Sequence, residues 1–146
     1  MRTKSDVLNI RTFQSGDEEA VIALWRNCNL LRSWNDPQKD ILRKLQVHPE
    51  LFLVGLVGGR IVASIMAGYE GHRGWLNYLA VDPEHQRHGY ARAMIEEAEH
   101  LLRATGCPKI NLQIRSSNRS VIEFYRHIGY QVDDVVSMGK RLELDE

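Results

Sequence analysis

The sequence predicts a mixed α/β fold in which helices pack against a sheet. Two observations predict it. The patterns run strand, two helices, three strands, helix, strand, helix and two strands, which differs from the regular alternation of a doubly wound sheet. In addition, the amphipathic helix pattern at 90–105 lies between strand patterns at 75–81 and 110–114, and such a unit forms a right-handed parallel crossover.

The remaining strand patterns are short and separated by turn signals. The first alternates at 8–12, and 51–54 is a continuous apolar run, which suits a strand covered on both faces. Gly58 and Gly59 predict a two-residue hairpin turn into a strand at 60–69. A terminal hairpin is expected to turn near 133–134, with a last strand from Met138 towards Leu144.

Three helix patterns begin with capping signals. The stretch 15–18 fits a capping box, and Asp36 followed by Pro37 supplies an N-cap and a proline at the first helical position. Ser117 or Asn118 can cap the last helix. The chain therefore caps helices where it needs to.

The helix at 90–105 begins differently. No Ser, Thr, Asp or Asn stands just before it, so its first N–H groups lack a side-chain cap. Arg87, His88 and Arg92 add positive charge at the positive end of the helix dipole. Free amides, a flexible Gly89 and two arginines suit an anion, a phosphate above all. The alternative is a solvated helix end that tolerates mild frustration.

Length and composition favour one ordinary globular domain. The chain has 146 residues, and we expect a single domain over 1–146 in which 1–6 is a loose end. The formal net charge is zero, so nucleic acid and anionic membrane are not expected partners. No apolar run approaches the ~18 residues of a spanning helix, and no signal-peptide core follows the start. Cys28 and Cys107 are expected to be buried thiols in a reducing cytoplasm rather than a bridge.

Four stretches together resemble the GNAT N-acetyltransferase superfamily. They are, in order, 79–83, 86–91, Asn118 and 123–130. The second fits the family's Q/R-x-x-G-x-G/A acetyl-CoA signature, with Ala91 in place of the commoner final glycine. The resemblance covers about Leu8 to Leu142. Within the family, 31–37 and 68–74 look similar to a little-studied bacterial acetyltransferase group, and 111–130 resembles ribosomal-protein alanine acetyltransferases. It implies a mostly antiparallel sheet of six to seven strands, one parallel crossover and about four helices.

The resemblance also implies roles for individual residues, with acetyl-CoA as co-substrate and no metal. Backbone groups of Leu79, Ala80 and Val81 would hold the acetyl carbonyl and the start of the pantetheine arm. The pyrophosphate would be cradled by the backbone N–H groups of Arg87, His88, Gly89, Tyr90, Ala91 and Arg92. Asn118 would contact the pantetheine side, and Tyr125 would point at the thioester sulfur.

Acetyl transfer needs a neutral amine, a polarised carbonyl and a proton for the departing thiolate. A backbone N–H can stabilise the developing oxyanion, an effect worth ~2.7–4 kcal/mol in comparable sites. Tyr125 suits the acid role because a phenol of ordinary pKa ≈ 10 stays protonated at neutral pH. Without the resemblance, the pattern favours a core aromatic at Tyr125, and 79–81 is equally consistent with a plain buried strand.

The general base is harder to identify. Deprotonating an alkyl ammonium of pKa near 10 at pH 7 costs roughly 4 kcal/mol. Gln113 occupies the position of a glutamate in the alanine acetyltransferases and cannot accept a proton. Glu70 and His72, in the loop before the 75–81 strand, are the candidates, the alternative being solvated loop residues. Direct capture of an already neutral amine also remains open.

The acceptor is expected to be a small-molecule amine or a peptide. Arg32, Trp34 and Asn35 lie between two helices, in a loop that commonly borders the acceptor site in this family, although Trp34 could equally anchor a turn. A homodimer is possible through the edge of the terminal hairpin. A metal site at His85 and His88 lacks a recognisable ligand set, and no P-loop motif is present.

The leading hypothesis is an acetyl-CoA-dependent N-acetyltransferase. Direct attack in a ternary complex is favoured over an acetyl-enzyme, because neither cysteine lies in the expected cleft segments. The alternative is a non-catalytic acyl-CoA-binding sensor that kept the same cleft. A nucleic-acid-binding module is disfavoured by the zero net charge and by the lack of aromatic residues among the arginines.

Overall fold

The computed structural model describes residues 7–145, so the expected loose end at 1–6 lies outside the described residues. Its sheet contains five strands in sequence order: β1 (Asn9–Thr12), β2 (Phe52–Val57), β3 (Arg60–Tyr69), β4 (Gly74–Val81) and β5 (Ile110–Asn111). The first four strands pair antiparallel, and β4 pairs with β5 in parallel. The helices are α1 (Glu18–Asn27), α2 (Pro37–Leu45), α3 (Tyr90–Ala104) and α4 (Arg119–His127).

The mixed α/β fold, the four helices and the parallel strand–helix–strand unit are confirmed. Gly58 and Gly59, both with positive φ, form the predicted hairpin turn between β2 and β3. The prediction of six to seven strands is wrong over residues 7–145, where the sheet has five. No helix in this part of the chain is long and apolar enough to cross a membrane.

The predicted terminal hairpin does not form within the described residues. The segment 131–145 touches its neighbours through side chains, as in the 2.9 Å ion pair between Lys109 and Asp133. Its large apolar side chains are exposed: Val132, Val135, Val136, Met138, Leu142 and Leu144. A strand is stable only where the side chains that it buries offset the conformational entropy lost on ordering. Because β5 pairs with β4 over only two residues, its edge is too short to support a further strand of normal length. The edge on which a homodimer was expected is therefore missing here.

The sheet is covered on both faces. One buried cluster joins α3 to the sheet through residues such as Met94, Ile95 and Leu102. The other joins α1 and α2 to the opposite face through residues such as Trp25 and Ile41. In β2, Leu53 belongs to the first cluster while Phe52 and Val54 belong to the second. This alternation confirms that the apolar run at 51–54 is a strand buried on both faces.

The capping predictions were partly wrong. Asp36 caps α2 as expected, since its Oδ1 accepts hydrogen bonds from the N–H groups of Gln38 and Lys39. Before α1, however, it is Asp17 rather than Ser15 that caps the turn, accepting from the N–H of Gln14 at 2.8 Å. The Asp17 carboxylate can do so because Arg11 holds it at 2.7 and 3.0 Å.

The fourth strand carries an irregularity. Asn77 faces Met66 and Ala80 faces Ser64, so Tyr78 and Leu79 together oppose one residue of β3. We call this one-residue insertion the β4 bulge. Tyr78 has a positive φ of 53° at this point. Such bulges bend a strand and leave backbone groups unpaired beside functional sites.

Candidate active site

A cavity of about 1240 Å³ opens where β4 and β5 separate. The two strands pair only at Gly74 with Ile110 and at Trp75 with Asn111. Beyond these pairs, 76–79 and 112–115 form two sides of the cavity. The volume exceeds the roughly 300–1,000 Å³ of most small-molecule pockets, which suits a long ligand together with a second one.

The helices and the loops beside them supply two further parts of the cavity lining. The α3 wall consists of Gln86, Arg87, Gly89, Tyr90, Ala91 and Arg92, and the α1–α2 wall consists of Asn29, Leu30, Arg32, Asn35 and Asp40. The N-terminal part of α4 contributes Asn118, Ser120 and Val121, and Tyr125 follows one turn later.

The β4 bulge is held from below by a buried polar chain. The Ser64 hydroxyl donates to the carbonyl of Tyr78 at 2.9 Å and accepts from Trp25 Nε1 at 2.9 Å. Ser64 and Trp25 are fully buried, and the Tyr78 ring stacks on Trp25 with centroids 3.9 Å apart. Sequence reasoning missed this device, although one hydroxyl inside the apolar run 61–67 was the available signal.

Of the three β4 residues predicted to hold the acetyl carbonyl, Leu79 and Val81 line the cavity, and Ala80 does not. Ala80 is buried in the cluster that faces α1. Its backbone nevertheless follows the bulge directly. The predicted role of all three rests on backbone groups, so the burial of one side chain does not bear on it.

The α3 wall has the local structure that its sequence predicts. Gly89 precedes α3 with a φ of 79°, and in the described chain no side chain caps the first turn. Arg87 also has a positive φ, of 66°. The uncapped first turn and the positive end of the helix dipole favour an anion at this end of the cavity.

The residues around this helix start divide into two groups. Those of the α3 wall line the cavity, whereas His88 does not; its ring stacks near Tyr90, with centroids 5.4 Å apart. Arg92 pairs with Glu96 at 2.9 Å, one turn further along the exposed side of α3.

The start of α4 resembles that of α3. Asn118 stands at the N-cap position, but its side chain makes no capping hydrogen bond, contrary to prediction. Since Asn118 lines the cavity, its side chain is available there. The cavity therefore receives two helix N-termini without side-chain caps, whereas the capped start of α2 has its orphan N–H groups satisfied by Asp36.

Tyr125 is the phenol best placed for chemistry. It is 6% exposed and lines the cavity, and its ring packs edge-on against Phe124 and Tyr130 at 5.3 Å. The neighbouring phenols are engaged, Tyr130 with Glu99 at 2.8 Å and Tyr78 with Asp40 at 2.5 Å. Within residues 7–145, no protein group hydrogen-bonds the Tyr125 hydroxyl. Burial raises the pKa of Tyr125, so this hydroxyl stays protonated.

The predicted acceptor residues separate. Arg32 and Asn35 line the cavity, while Trp34 is half exposed and does not. Arg32 Nη1 donates to the carbonyls of Asn29 and Leu31, at 2.8 and 2.9 Å. Trp34 lies under the guanidinium of Arg115, 5.4 Å from the ring centroid. Trp34 therefore supports the wall from outside it.

Glu70 and His72 lie away from the cavity lining. The Glu70 carboxylate accepts hydrogen bonds from the backbone N–H groups of Arg73 and His72, the latter at 2.9 Å. These bonds lower the pKa of Glu70. The contacts give Glu70 a local role in its own loop, and a carboxylate held in this way is a weak proton acceptor.

The expectation that neither cysteine lies in the cleft was wrong. Cys28 lines the cavity, because the end of α1 comes close to Val81. Its thiol contacts the Val81 carbonyl at 3.2 Å, and burial raises the pKa of Cys28, so it is not an activated nucleophile. Both cysteines are free. Among the described residues, no group of three or more His, Cys, Asp or Glu side chains could hold a metal ion.

One carboxylate stands in the lining of the cavity as the structure describes it. Asp40, on α2, accepts the hydrogen bond of the Tyr78 phenol through Oδ2. Its other oxygen lies 3.4 Å from Arg43. Sequence reasoning did not single out Asp40, because on the helix pattern it is an ordinary polar residue next to Ile41.

Comparisons with known proteins agree on one family. The model of the acetyltransferase (GNAT) family matches residues 19–130. An acetyltransferase of Yersinia pestis (strain Pestoides F) is 50% identical over 139 residues, covering 95% of this chain and 99% of the relative. The crystal structure of the ribosomal-protein-S18-alanine N-acetyltransferase from Escherichia coli is 22% identical, with a TM-score of 0.72, and covers 84% of this chain and 77% of that one.

A second solved structure has the same fold. AAC(6')-Iy, solved with the bisubstrate analog CoA-S-monomethyl-acetylneamine, is 17% identical and has a TM-score of 0.76. The alignment covers 92% of this chain and 99% of that one. At these identities both structures bear on the fold alone.

Proposed function

The chain is an N-acetyltransferase of the acetyltransferase (GNAT) family, and we propose that it transfers the acetyl group of acetyl-CoA to a primary amine of a small molecule or a peptide. The amine attacks directly, in a ternary complex. The observation that carries the proposal is that one cavity brings together the β4 bulge, the uncapped start of α3 and the Tyr125 side chain.

The pyrophosphate of the co-substrate binds at the α3 wall. The backbone N–H groups from Arg87 to Arg92 include those of the uncapped first helical turn, and the helix dipole also favours a dianion there. The two arginines add positive charge at the same place. Asn118, at the uncapped start of α4, contacts the pantetheine arm from the opposite side.

The acetyl carbonyl lies against the β4 bulge. The amine nitrogen attacks the carbonyl carbon, a C–N bond forms, and the charge on oxygen is stabilised by a backbone N–H from 79–81. The Ser64 and Trp25 hydrogen bonds keep this backbone in position before substrate arrives, so no reorganisation is needed during the reaction.

The C–S bond then breaks, and the sulfur takes the phenolic proton of Tyr125. The nitrogen, which after attack carries one proton too many for an amide, releases it to solvent, and a proton from solvent restores the Tyr125 phenol. Burial raises the pKa of this phenol, and it also disfavours an unprotonated thiolate in the same place, so the transfer remains feasible. The ammonium proton of the acceptor leaves to solvent before attack. The mechanism therefore uses neutral amine and does not need Glu70 or His72 as the base.

The test measures coenzyme A binding by calorimetry and acetyl-CoA consumption over a panel of amines and peptides. Tyr125→Phe should keep the affinity for coenzyme A and lower kcat by about 10²–10⁴-fold, the usual contribution of a positioned acid. Tyr69→Phe is the matched control, because the Tyr69 hydroxyl bonds the Gly71 carbonyl outside the cavity. Tight binding without turnover on any acceptor would favour the sensor, and absence of binding would refute both.

We also propose that the chain is a single domain over 1–146 that acts in the cytoplasm. The two free thiols suit a reducing compartment. The two buried clusters share one sheet across the described residues, which is the arrangement of a single folding unit.

A further inference from the structure

The α1–α2 wall gives a means to choose between acceptors. Asp40 is the one carboxylate that lines the cavity in the part of the chain that the structure describes. The lining also contains His85 and four arginines: Arg32, Arg87, Arg92 and Arg115. Two of these belong to the proposed pyrophosphate site. A single negative group in such surroundings is a specific feature of the wall.

The Asp40 carboxylate is held in a fixed position. Its Oδ2 accepts a 2.5 Å hydrogen bond from the Tyr78 phenol, and the Tyr78 ring is itself stacked on the fully buried Trp25. Burial and the contact with Asp40 raise the pKa of Tyr78, so the phenol remains a donor at all physiological pH values. The Asp40 side chain keeps 23% of its surface exposed, which leaves room for a ligand.

The charge of Asp40 is only partly compensated within the protein. Arg43 makes its two short bonds, 2.7 and 3.0 Å, to Asp145, and its distance to Asp40 is the longer 3.4 Å. Arg43 thus gives its short bonds to Asp145, which also feels the charge of Arg141, and Asp40 keeps only the longer contact. Arg32 and Arg115, the two arginines of the lining outside the α3 wall, make contacts of their own. Arg32 donates to the carbonyls of Asn29 and Leu31, and the Arg115 guanidinium lies over the ring of Trp34.

The position of Asp40 fits a charge on the acceptor other than the reacting amine. The β4 bulge is the proposed place of the acetyl carbonyl, and the full length of the Tyr78 side chain lies between that backbone and Asp40. A carboxylate next to the reacting nitrogen would also raise its pKa and so reduce the neutral form that attacks. The short bond from Tyr78 holds one oxygen of Asp40 in place, which suits a fixed counter-charge.

We propose that Asp40, oriented by Tyr78, selects acceptors that carry a second positive group several bonds from the amine that is acetylated, as in diamines and polyamines. This inference rests on the proposed function. Asp40 acts by binding the acceptor, and Tyr78 is a positioning residue that acts through Asp40.

The experiment compares three acceptors of equal length with different tails: 1,5-diaminopentane, 5-amino-1-pentanol and 5-aminopentanoate. The native protein should give the highest kcat/KM with the diamine. Asp40→Asn should lower kcat/KM for the diamine by about tenfold to a hundredfold, mainly through KM, because a hydrogen bond between two charged groups is lost. For the neutral-tailed alcohol, kcat/KM of Asp40→Asn should stay within about twofold of the native value. Tyr78→Phe should lower the diamine preference less than Asp40→Asn does.

Two controls separate folding and cofactor binding from selection. Glu50→Gln removes an exposed carboxylate outside the cavity lining and should leave the ratio between the three acceptors unchanged. Asp40→Asn should bind coenzyme A as the native protein does and melt in one cooperative transition. The inference is overturned if the ratio between diamine and alcohol is near one in the native protein or is unchanged in Asp40→Asn.

The outcome is also distinguishable from failure of the proposed function. If coenzyme A binds but none of the three acceptors is turned over, 1,5-diaminopentane is titrated calorimetrically into the protein saturated with coenzyme A. Binding that weakens at least tenfold in Asp40→Asn supports the recognition site without catalysis. Absence of binding, or equal binding in both proteins, overturns it.

Discussion

The α3 wall and the α1–α2 wall of the cavity are built by different means. In the α3 wall, the binding groups are backbone N–H donors exposed by a glycine with positive φ and by the lack of a side-chain cap. In the α1–α2 wall, the polar groups are side chains, and they are held by residues far away in sequence, such as Tyr78 for Asp40. Backbone donors suit the ligand that all members of a family share, because they do not depend on the side chains. A wall made of side chains can change from one member to the next, and so suits an acceptor that differs between members.

The C-terminal segment contacts the α1–α2 wall and the residues around it. Asp145 accepts two hydrogen bonds from Arg43 on α2, and its Oδ2 also lies 3.4 Å from the N–H of Asp36. Arg141 donates to the Trp34 carbonyl and to Oδ1 of Asn35. The α1–α2 wall therefore depends on contacts with the C-terminal end of the described chain, whereas the α3 wall is one continuous stretch.

The largest expected effect comes from Ser64→Ala, which tests whether the backbone between the two walls depends on side-chain support. The change leaves the Trp25 N–H and the Tyr78 carbonyl buried without their partner, at about 1–3 kcal/mol each. We expect a free energy of unfolding lower by about 2–4 kcal/mol and a reduced kcat. Urea denaturation and acetyl-CoA consumption measure the two. Ser116→Ala, at an exposed serine, should change neither, and a native kcat in Ser64→Ala would mean that the bulge is held otherwise.

An intermediate effect is expected from Gly89→Ala, which tests the α3 wall alone. Alanine disfavours the left-handed conformation by roughly 1–2 kcal/mol, so the amides that follow would turn away from the cavity or be held at that cost. Coenzyme A should bind about tenfold more weakly by calorimetry. Gly58→Ala is the control, because Gly58 has a comparable φ of 57° in the β2–β3 turn; the change should lower stability without changing the affinity for coenzyme A. Equal losses of affinity in both variants would contradict a special role for the α3 start.

The smallest effect is expected from Asp145→Asn, which tests the tie between the C-terminal segment and α2. Hydrogen bonds from Arg43 lower the pKa of Asp145 from 3.8 to about 2 in the folded protein. A depressed carboxyl pKa stabilises the fold above the unfolded value and loses that contribution as the pH falls through the folded value. The variant should therefore melt at a lower temperature than the native protein at pH 7, and the difference should shrink between about pH 4 and pH 2.

The matched control for this tie is Asp134→Asn, at an exposed carboxylate. Its melting temperature should follow that of the native protein over the whole pH range. A difference between native protein and Asp145→Asn that stays constant down to pH 2 would show that the Arg43 contact is not the source of the stabilisation.

Several features of the fold and site were predictable because they are local. The strand run at 51–54, the glycine turn at 58–59 and the uncapped start of α3 each depend on neighbouring residues only. Tyr125 was singled out by its motif, and the structure places it in the cavity lining with a hydroxyl that no described protein group engages. The same reasoning failed for the cap before α1, where Arg11 decides which carboxylate acts.

Other features depend on residues that the chain brings together from a distance. The β4 bulge needs Ser64 and Trp25, the placement of Cys28 in the cavity needs the approach of α1 to Val81, and the five-stranded sheet reflects a short β5 edge. Periodicity and motif carry no information on such contacts. The position of Asp40 in the cavity lining also depends on a distant contact, the hydrogen bond from Tyr78.

By itself, the sequence determined the family, the order of elements from β1 to α4 and the backbone donors at the start of α3, because helix starts, turns and strand patterns are set by residues within a few positions of one another. Only the tertiary structure decided which carboxylate faces the cavity and which stays in its own loop. That choice depends on the packing of Tyr78 against Trp25 and on Arg43 being drawn to Asp145, and these partners are separated by 53 and 102 positions of chain.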